Sequence, residues 1–456
     1  MSVNIFSRRV FASIAFSAVV FCTHLSHADS LTYELVVRDA LAASARLRMK
    51  KENILVSDAA HRQAEAGLFP EISANNRLER YENLDKRNTG IDTISGEVVG
   101  GSPSAWRTDV YLSGRYDVSS WYKKRFDVGY YEKLRETSVH DCEVETKTFL
   151  QELTSLFGQL AEKALKRKYA SEVLEKQMQI LRLRKGALSE GEASNEDVIK
   201  AEAGVTNAEK ELATIAKEIK EDIARLYGYT GKRYPEDVEI ETLRSDGRVL
   251  SGELSTLITE TPEYKARRKE LEALKLKAKA IGNNYLPDIS FYARYDYYGS
   301  DVNSMDGSMR ELRETSYNAG IFITLPLFDG GVKKWERKKI LHEIRRQEES
   351  VKAKMEEKGR DIQSLQAGYG EIANVLNAYR RLSDQYRRML GIARKALDLG
   401  QRSTADLLDM EKDALMVERD RAVAGNSLAT YEKRLLLETD YKNYVKGFDG
   451  NGTCRY

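Results

Sequence analysis

The segment YLPDIS at residues 285–290 decides the fold, because it occurs a second time as LFPEIS at residues 68–73. In both copies the proline breaks a preceding helix, and a run that alternates polar with apolar residues begins behind it. A second related pair follows, EGEASNEDV at residues 190–198 and LGQRSTADL at residues 399–407. The offset is 217 residues for the first pair (285 minus 68) and 209 residues for the second (399 minus 190). Such self-similarity predicts a tandem duplication.

Each repeat is predicted to contain a helix, a strand, a loop, a strand, a long helix, a glycine-containing tip and a returning helix. We expect the first repeat at residues 29–230 and the second at 253–445, joined by a linker at 231–252 and followed by a tail at 446–456. The two offsets differ because the loop between the strands is longer in the first repeat, near residues 83–105.

The positions of the prolines indicate two long helices. None of the six prolines lies between Pro103 and Pro235, and none follows Pro326, so helix can run uninterrupted there. A helix from about Trp121 to Ser189 would be about 100 Å long. In the second repeat, apolar residues recur at alternating steps of three and four, which is typical of a coiled-coil seam. The seam consists of Ile362, Leu365, Tyr369, Ile372, Leu376, Tyr379, Leu382, Tyr386, Met389, Ala393 and Ala396.

Four shorter segments have the alternation of strands with one apolar and one polar face, at residues 71–79, 107–118, 289–298 and 316–325. Any one of them alone is better explained as a half-buried strand of a soluble sheet. Four of them on an exported chain favour tilted strands that cross a membrane. An open sheet would leave backbone groups unpaired in lipid, and the smallest membrane barrels have more strands than one chain offers. Several copies must therefore close one barrel, and the sequence leaves their number open.

The first segment predicts export. Arg8 and Arg9 precede an apolar stretch at residues 10–22, and the sequence SHA then offers a small-residue cleavage site, so we expect a signal peptide at residues 1–28. The rest of the chain is highly charged, but its 73 basic and 71 acidic residues nearly cancel. This balance argues against nucleic acid as a partner. A charged fraction of 32% is typical of long solvated helices.

Taken together, these residues resemble the TolC family of outer-membrane factors. The resemblance rests on the duplication, on the strand entry at residues 286–290, on LPLFDGG at residues 325–331 and on the tip at residues 399–409. It implies a mostly α-helical fold with a membrane β-barrel, in which a homotrimer closes twelve strands above a periplasmic helical tunnel. It also implies a passive conduit in the outer membrane, working with a periplasmic adaptor (membrane fusion protein) and an inner-membrane pump or ABC transporter.

The same resemblance implies a gate at the helical tips. Asp406 and Asp409 would form a ring of carboxylates around the pore, and Arg402 would tie the closed state to Glu196 or Asp197 of the neighbouring helix pair. The alternative is that these are ordinary solvated charges.

The tip glycines have two explanations. The resemblance implies that adaptor proteins dock around Gly191 and Gly400, whereas a glycine that ends a helix needs no partner. Leu397 departs from the family pattern, in which a tyrosine precedes the tip glycine.

No catalytic or metal-binding pattern was found, so we expect neither an enzyme nor a cofactor. His61, His140 and His342 are scattered, and there is no zinc-type spacing. A disulfide between Cys142 and Cys454 is possible in an exported chain, but residues so far apart give weak evidence for it. The alternative function is a periplasmic coiled-coil scaffold or adaptor without a barrel. The exported substrate is not encoded in a recognisable pattern.

Overall fold

A computed structural model describes residues 30–82, 90–91, 98–99, 105–235, 237–247, 253–448 and 454. The predicted signal peptide and most of the predicted loop at 83–105 lie outside these residues. None of the helices described is long and apolar enough to cross a bilayer.

The first repeat begins with two helices, α1 (Tyr33–Ala43) and α2 (Ala45–Ala66), followed by strand β1 (Glu71–Tyr81). Two short strands, β2 (Gly90–Ile91) and β3 (Val98–Val99), precede the long strand β4 (Ala105–Asp117). A helical turn, α3 (Ser120–Lys123), leads into α4 (Arg125–Ser189), and α5 (Asn195–Thr230) returns from the tip.

The second repeat has the same order of main elements, with α8 in the place of β2 and β3 and without a counterpart of α3. It comprises α6 (Leu254–Glu260), α7 (Pro262–Asn283), β5 (Asp288–Asp301), α8 (Met305–Arg310), β6 (Glu314–Thr324), α9 (Val332–Asp398) and α10 (Thr404–Thr439), and α11 (Tyr441–Lys446) follows. The bounds of α2 and α7 differ by 217 residues (262 minus 45), and those of α5 and α10 differ by 209 (404 minus 195). The sequence offsets are thus the offsets of the structural elements.

The long helix of the first repeat begins slightly later than its predicted start near Trp121. Asn283 donates a hydrogen bond from its side chain to the carbonyl of Tyr122 at 2.6 Å, which occupies an acceptor that a continuous helix would use itself. The helical turn α3 therefore ends before Arg125, and α4 then runs for 65 residues, or about 100 Å.

The helices form an elongated wall in which α4 is central. Near the tip α4 packs against α5 and α10, and near the sheet it packs against α2 and α7. Helix α9 packs against α7 and α10, so these two helices occupy the same slot between α4 and α9. The largest core lies where the returning helices meet the first ones, and Leu150, Phe157 and Leu226 are fully buried there.

The coiled-coil seam predicted on α9 holds at Ile362, Leu376 and Ala393, which are buried. Met389 of the same seam remains 44% exposed in one chain. Alternating steps of three and four residues identify an apolar stripe along the helix. They do not distinguish the side that packs against α10 from a side without a neighbour in the chain.

The four long strands form one antiparallel sheet in the order β1-β4-β5-β6. All four predicted strands are confirmed, although β5 extends a few residues further than predicted, to Asp301. The register pairs Glu71 with Arg115, and it pairs Asp288 with Thr324 at the far side of the sheet. Strands β1 and β6 are the two edges of this sheet.

Candidate functional site

The sheet leaves its apolar face exposed, whereas a soluble sheet usually packs that face against a core. On the apolar face Ile72, Leu112, Phe291 and Ile321 are 72%, 53%, 46% and 58% exposed. On the opposite face Asp296 is buried, whereas Arg77 and Phe322 remain 52% and 59% exposed. Apolar surface of this extent is unfavourable in water, so the apolar face requires a non-aqueous neighbour.

The polar face carries a network of paired side chains. Ser73 and Ser113 share a hydrogen bond of 2.8 Å across β1 and β4. The guanidinium of Arg294 donates to Asp296 at 2.6 Å and lies 3.6 Å from the ring centroid of Tyr111. Charges compensated in this way are suited to a hydrated surface, so the sheet has one face suited to an apolar environment and one face suited to water.

The two helical tips end with the same local structure. At Gly191 and Gly400 the angle φ is 76° and 67°, in the left-handed region where glycine is strongly favoured. The amide of Glu192 donates to Ala187 at 2.8 Å, and the amide of Gln401 donates to Ala396 at 2.8 Å, as in a Schellman ending. The glycines therefore end the helices α4 and α9, and docking at these tips stays a prediction.

Each returning helix begins with a serine cap. The hydroxyl of Ser194 accepts the amide of Asp197 at 3.2 Å, while the carboxylate of Asp197 accepts the Ser194 amide at 3.1 Å, which completes a capping box. Hydrogen bonds from the Ser194 side chain and backbone lower the pKa of Asp197. The hydroxyl of Ser403 accepts the amide of Asp406 at 3.1 Å in the same manner.

Of the predicted gate residues, Glu196, Arg402 and Asp406 are exposed and Asp197 and Asp409 are partly buried, and no contact between the two tips joins them in the described residues. Asp409 pairs with Lys412 at 2.9 Å, and Glu196 pairs with Lys200 at 2.6 Å, both within their own helices. Arg402 lies 3.8 Å from the sulfur of Met410. In the part of the chain that the structure describes, Arg402 forms no ion pair with Glu196 or Asp197.

Sequence reasoning missed a polar contact that holds the two helix pairs together near the tip. Glu411 on α10 accepts from Lys176 on α4 at 2.7 Å and from Arg394 on α9 at 3.0 Å. Burial disfavours its charged form, but the two cations outweigh burial and lower the pKa of Glu411. An apolar cluster of Ile180, Ala201 and Leu408 lies beside the same helices.

Sequence reasoning also missed a buried charge cluster halfway along the wall, which we call the junction cluster and which consists of Lys147, Glu263, Lys358 and Glu438. It lies where the end of α10 meets the start of α7 between α4 and α9. The ammonium of Lys147 contacts Glu263 and lies 2.6 Å from Glu438, and Lys358 lies 3.4 Å and 3.3 Å from the same two carboxylates.

All four side chains of the junction cluster are at most 9% exposed. Burial disfavours charge on Lys358, but the carboxylates of Glu438 and Glu263 outweigh it and raise the pKa of Lys358. Burial acts against the charged form of Glu438 as well, yet Lys147 and Lys358 lower its pKa. The cluster is therefore a set of compensated charges rather than a site for proton transfer.

A disulfide joins Cys142 on α4 to Cys454, with a sequence separation of 312 residues. The bond lies beside Ile54 of α2, in a small apolar cluster of its own. It fixes Cys454 of the C-terminal tail to the helical wall at the level of α2. Among the described residues, no group of His, Cys, Asp and Glu side chains is arranged to hold a metal ion.

Comparisons with known proteins agree with this architecture. Residues 254–437 match the family model of the outer membrane efflux protein. The alkaline protease secretion protein AprF of Pseudomonas aeruginosa is 22% identical over 155 residues, which are 34% of this chain and 31% of AprF. The alignment thus spans about a third of that relative.

Two solved structures are similar in fold. CusC, whose structure was described in connection with transmembrane channel formation, has a TM-score of 0.73 at 15% identity, with 89% of this chain and 91% of CusC covered. The outer membrane protein VceC of Vibrio cholerae has a TM-score of 0.72 at 16% identity, with 91% of this chain and 97% of VceC covered. Residues 254–437 of the chain therefore belong to the outer membrane efflux protein family, and the chain as a whole has the fold of outer-membrane efflux channels.

Proposed function

We propose that the chain is one subunit of a trimeric exit duct in the outer membrane, a passive conduit that continues into the periplasm as a helical tunnel. The observation that carries this proposal is the exposed apolar face of the sheet, opposite a polar face of paired charges. Lipid would cover the first face, and water in a channel would cover the second.

The two free edges of the sheet favour assembly by ring closure. Because β1, β4, β5 and β6 alternate in direction, β1 and β6 run antiparallel to each other. Strand β6 of one copy therefore pairs with β1 of the next in the same antiparallel sense, and repetition closes a barrel without free edges. Three copies give the twelve strands that the resemblance to the TolC family implies.

We further propose that the helical tips form the gate. In a trimer three copies of Asp406 and Asp409 would gather around one opening, where like charges repel and attract cations. Arg402 is free of ion pairs in the described part of one protomer, so its guanidinium is available for a carboxylate such as Glu196 in an adjacent helix pair. Asp197 is the weaker partner, since its carboxylate already caps α5.

The same tips are proposed to receive the periplasmic adaptor, around Gly191 and Gly400. The family match is compatible with service to a tripartite efflux pump, and the similarity to a protease secretion protein is compatible with type I secretion. The Cys142–Cys454 disulfide supports an oxidising compartment such as the periplasm for the helical wall.

Extraction of a membrane fraction tests the barrel against the alternative of a periplasmic scaffold. We expect the protein to remain in the outer-membrane fraction after osmotic shock, to need detergent for release, and to migrate differently on gels before and after heating. Release by osmotic shock alone would favour the scaffold and contradict the duct.

A further inference from the structure

The duplication relates contacts inside one chain to contacts that one chain alone cannot make. Helix α4 packs on one side against α2 and α5, and on the other side against α7 and α10. Helix α9, the counterpart of α4, packs against α7 and α10, and over a short stretch against α6, which contacts these same two helices. The other side of α9 corresponds, by the duplication, to the side of α4 that packs against α7 and α10. Within the described chain no helix packs against this side of α9, which we call the open side.

The positions that face this open side of α9 follow from the offsets. Lys147 on α4 corresponds to Glu356 on α9 (147 plus 209), and Glu136 corresponds to Arg345 (136 plus 209). On α9 the residues that contact or face α7 include the buried Ile340, Gln347 and Lys358. Glu356 lies two residues before Lys358 and is therefore about 160° away around the helix axis.

The first contact is the one made by Lys147 with the carboxylates of Glu263 and Glu438. The counterpart of Glu263 is Arg46 on α2 (263 minus 217), and the counterpart of Glu438 is Tyr229 on α5 (438 minus 209). Within the chain the Lys147 ammonium lies between two carboxylates. At the corresponding place the Glu356 carboxylate would face the Arg46 guanidinium and the Tyr229 phenol. The charges of Lys147 and Glu263 are thus inverted at Glu356 and Arg46, and the charge of Glu438 is removed at Tyr229. Within its own chain Arg46 also pairs with Glu145 and with Glu152 at 2.9 Å, so Glu356 would join an existing set of ion pairs.

A second contact behaves in the same way. Glu136 on α4 pairs with Lys269 on α7 at 2.9 Å. The counterpart of Lys269 is Glu52 on α2 (269 minus 217), and that of Glu136 is Arg345. Glu52 and Arg345 are both exposed, and neither forms an ion pair within the residues that the structure covers.

A third contact is apolar. Ile180 on α4 and Leu408 on α10 lie in one buried cluster. Their counterparts are Met389 on α9 (180 plus 209) and Ile199 on α5 (408 minus 209). Both counterparts are large apolar side chains left exposed in one chain, by 44% for Met389 and 63% for Ile199.

We propose that α9 of one copy docks against α2 and α5 of the next copy in the register that α4 keeps toward α7 and α10 within the chain. The contacts are Glu356 with Arg46 and Tyr229, Arg345 with Glu52, and Met389 with Ile199. The occupant of the open side of α9 is therefore a second copy of this chain. This inference rests on the ring assembly of the proposed function and adds the residues that set its register.

The inverted charges also exclude the wrong docking. If α2 of a neighbouring copy entered the slot of α7, Arg46 would meet Lys147 and Glu52 would meet Glu136. If α9 turned its open side toward α7, Glu356 would meet Glu263 and Arg345 would meet Lys269. All four mismatched contacts bring like charges together, so the two similar helix pairs cannot exchange places without repulsion.

Cysteine cross-linking tests the register directly. The variant Glu52→Cys with Arg345→Cys, treated with a short bismaleimide, is expected to give chains joined covalently up to a trimer. The matched variant Glu136→Cys with Lys269→Cys is expected to give a link within each chain and no ladder. The inference would be overturned if the wild type is an oligomer and the internal pair at 136 and 269 is cross-linked, but the pair at 52 and 345 gives no link between chains.

Charge reversal tests complementarity without cross-linking. Glu52→Arg or Arg345→Glu alone is expected to lower the trimerisation constant in mild detergent by about tenfold, because each ring loses three exposed pairs. The double variant restores it, and added salt reduces the difference. Glu356→Arg is expected to weaken the trimer as well. The control is Glu357→Arg, which is expected to leave the trimer intact, because Glu357 pairs with Lys354 at 2.7 Å in its own helix.

The outcomes distinguish this inference from the proposed function. A trimer that forms normally in both single variants and in Glu356→Arg contradicts the register and leaves the duct in place. A wild-type protein that remains monomeric in detergent and in its membrane contradicts the duct itself.

Discussion

Replacing Lys147 with methionine is expected to open the middle of the helical wall. The change keeps the length of the side chain but removes the ammonium that contacts Glu263 and Glu438. Lys358 would then face both carboxylates alone, from 3.4 Å and 3.3 Å, and the junction cluster would carry one uncompensated negative charge. Because the Glu263 and Glu438 side chains are only 8% and 4% exposed, water cannot replace the missing cation without opening the helices.

Breaking a buried ion pair by removing one partner costs about 3–5 kcal/mol. Restoring neutrality should recover part of this cost, so Lys147→Met with Glu438→Gln is expected to be more stable than Lys147→Met alone. The coupling between the two sites should amount to about 0.5–3 kcal/mol, which is typical of residues in one network.

Hydrogen exchange followed by mass spectrometry measures this effect locally. Peptides that cover the end of α10 and the start of α7 are expected to exchange roughly 100-fold to several thousand-fold faster in Lys147→Met. The control is Lys166→Met, which breaks a half-exposed pair with Glu162 at 2.7 Å on the same helix and should change exchange only about twofold. Exchange in Lys147→Met that stays within the range of the control would refute the role of the junction cluster.

Three further predictions concern acid, the disulfide and the gate. The pKa of Glu438 is lowered in the folded protein, so its stabilising charge is fully present at a pH above the unfolded pKa near 4.5 and is lost as the pH falls through the folded pKa. Hydrogen exchange at the end of α10 should therefore accelerate in acid. Glu438→Gln should be less stable at neutral pH, and its stability should respond less to acid. Cys142→Ser should lower the free energy of unfolding by about 2–4 kcal/mol and expose one titratable thiol, as measured by urea unfolding and thiol labelling; an unchanged unfolding midpoint would speak against it. Arg402→Ser should raise conductance in planar bilayers, whereas Asp406→Ala with Asp409→Ala should weaken cation preference and block by multivalent cations; wild-type selectivity in the double variant would assign these aspartates to solvated tips.

The fold followed from the sequence because its signals are periodic and repeated. The alternation in residues 289–298 predicted which face of β5 is apolar, and the structure leaves that face exposed. The proline-free stretch before Pro235 predicted α4, since a helix of that length needs only the absence of a break. Met389 is exposed in one chain, because spacing along one helix does not say which side a second helix of the same chain covers.

The junction cluster and the tips were beyond the reach of sequence patterns. Lys147 and Glu438 are common residue types in a chain full of charged helices, and only the meeting of α7 with α10 buries them together. Asp197 was considered for the gate, although the spacing of Ser194 and Asp197 also fits a capping box, which is what it forms. Local spacing therefore had two physical explanations, and the structure supports the cap within one protomer.

Labelling of intact cells with a membrane-impermeant maleimide tests the central claim most directly. Asp306, on the exposed loop helix α8 between β5 and β6, and Asp398, at the tip end of α9, are replaced by cysteine one at a time. The account predicts that Asp306→Cys is labelled on intact cells and that Asp398→Cys is labelled only after the outer membrane is permeabilised. Labelling of Asp398→Cys on intact cells, or failure to label Asp306→Cys until permeabilisation, would contradict a duct that crosses the outer membrane through this sheet.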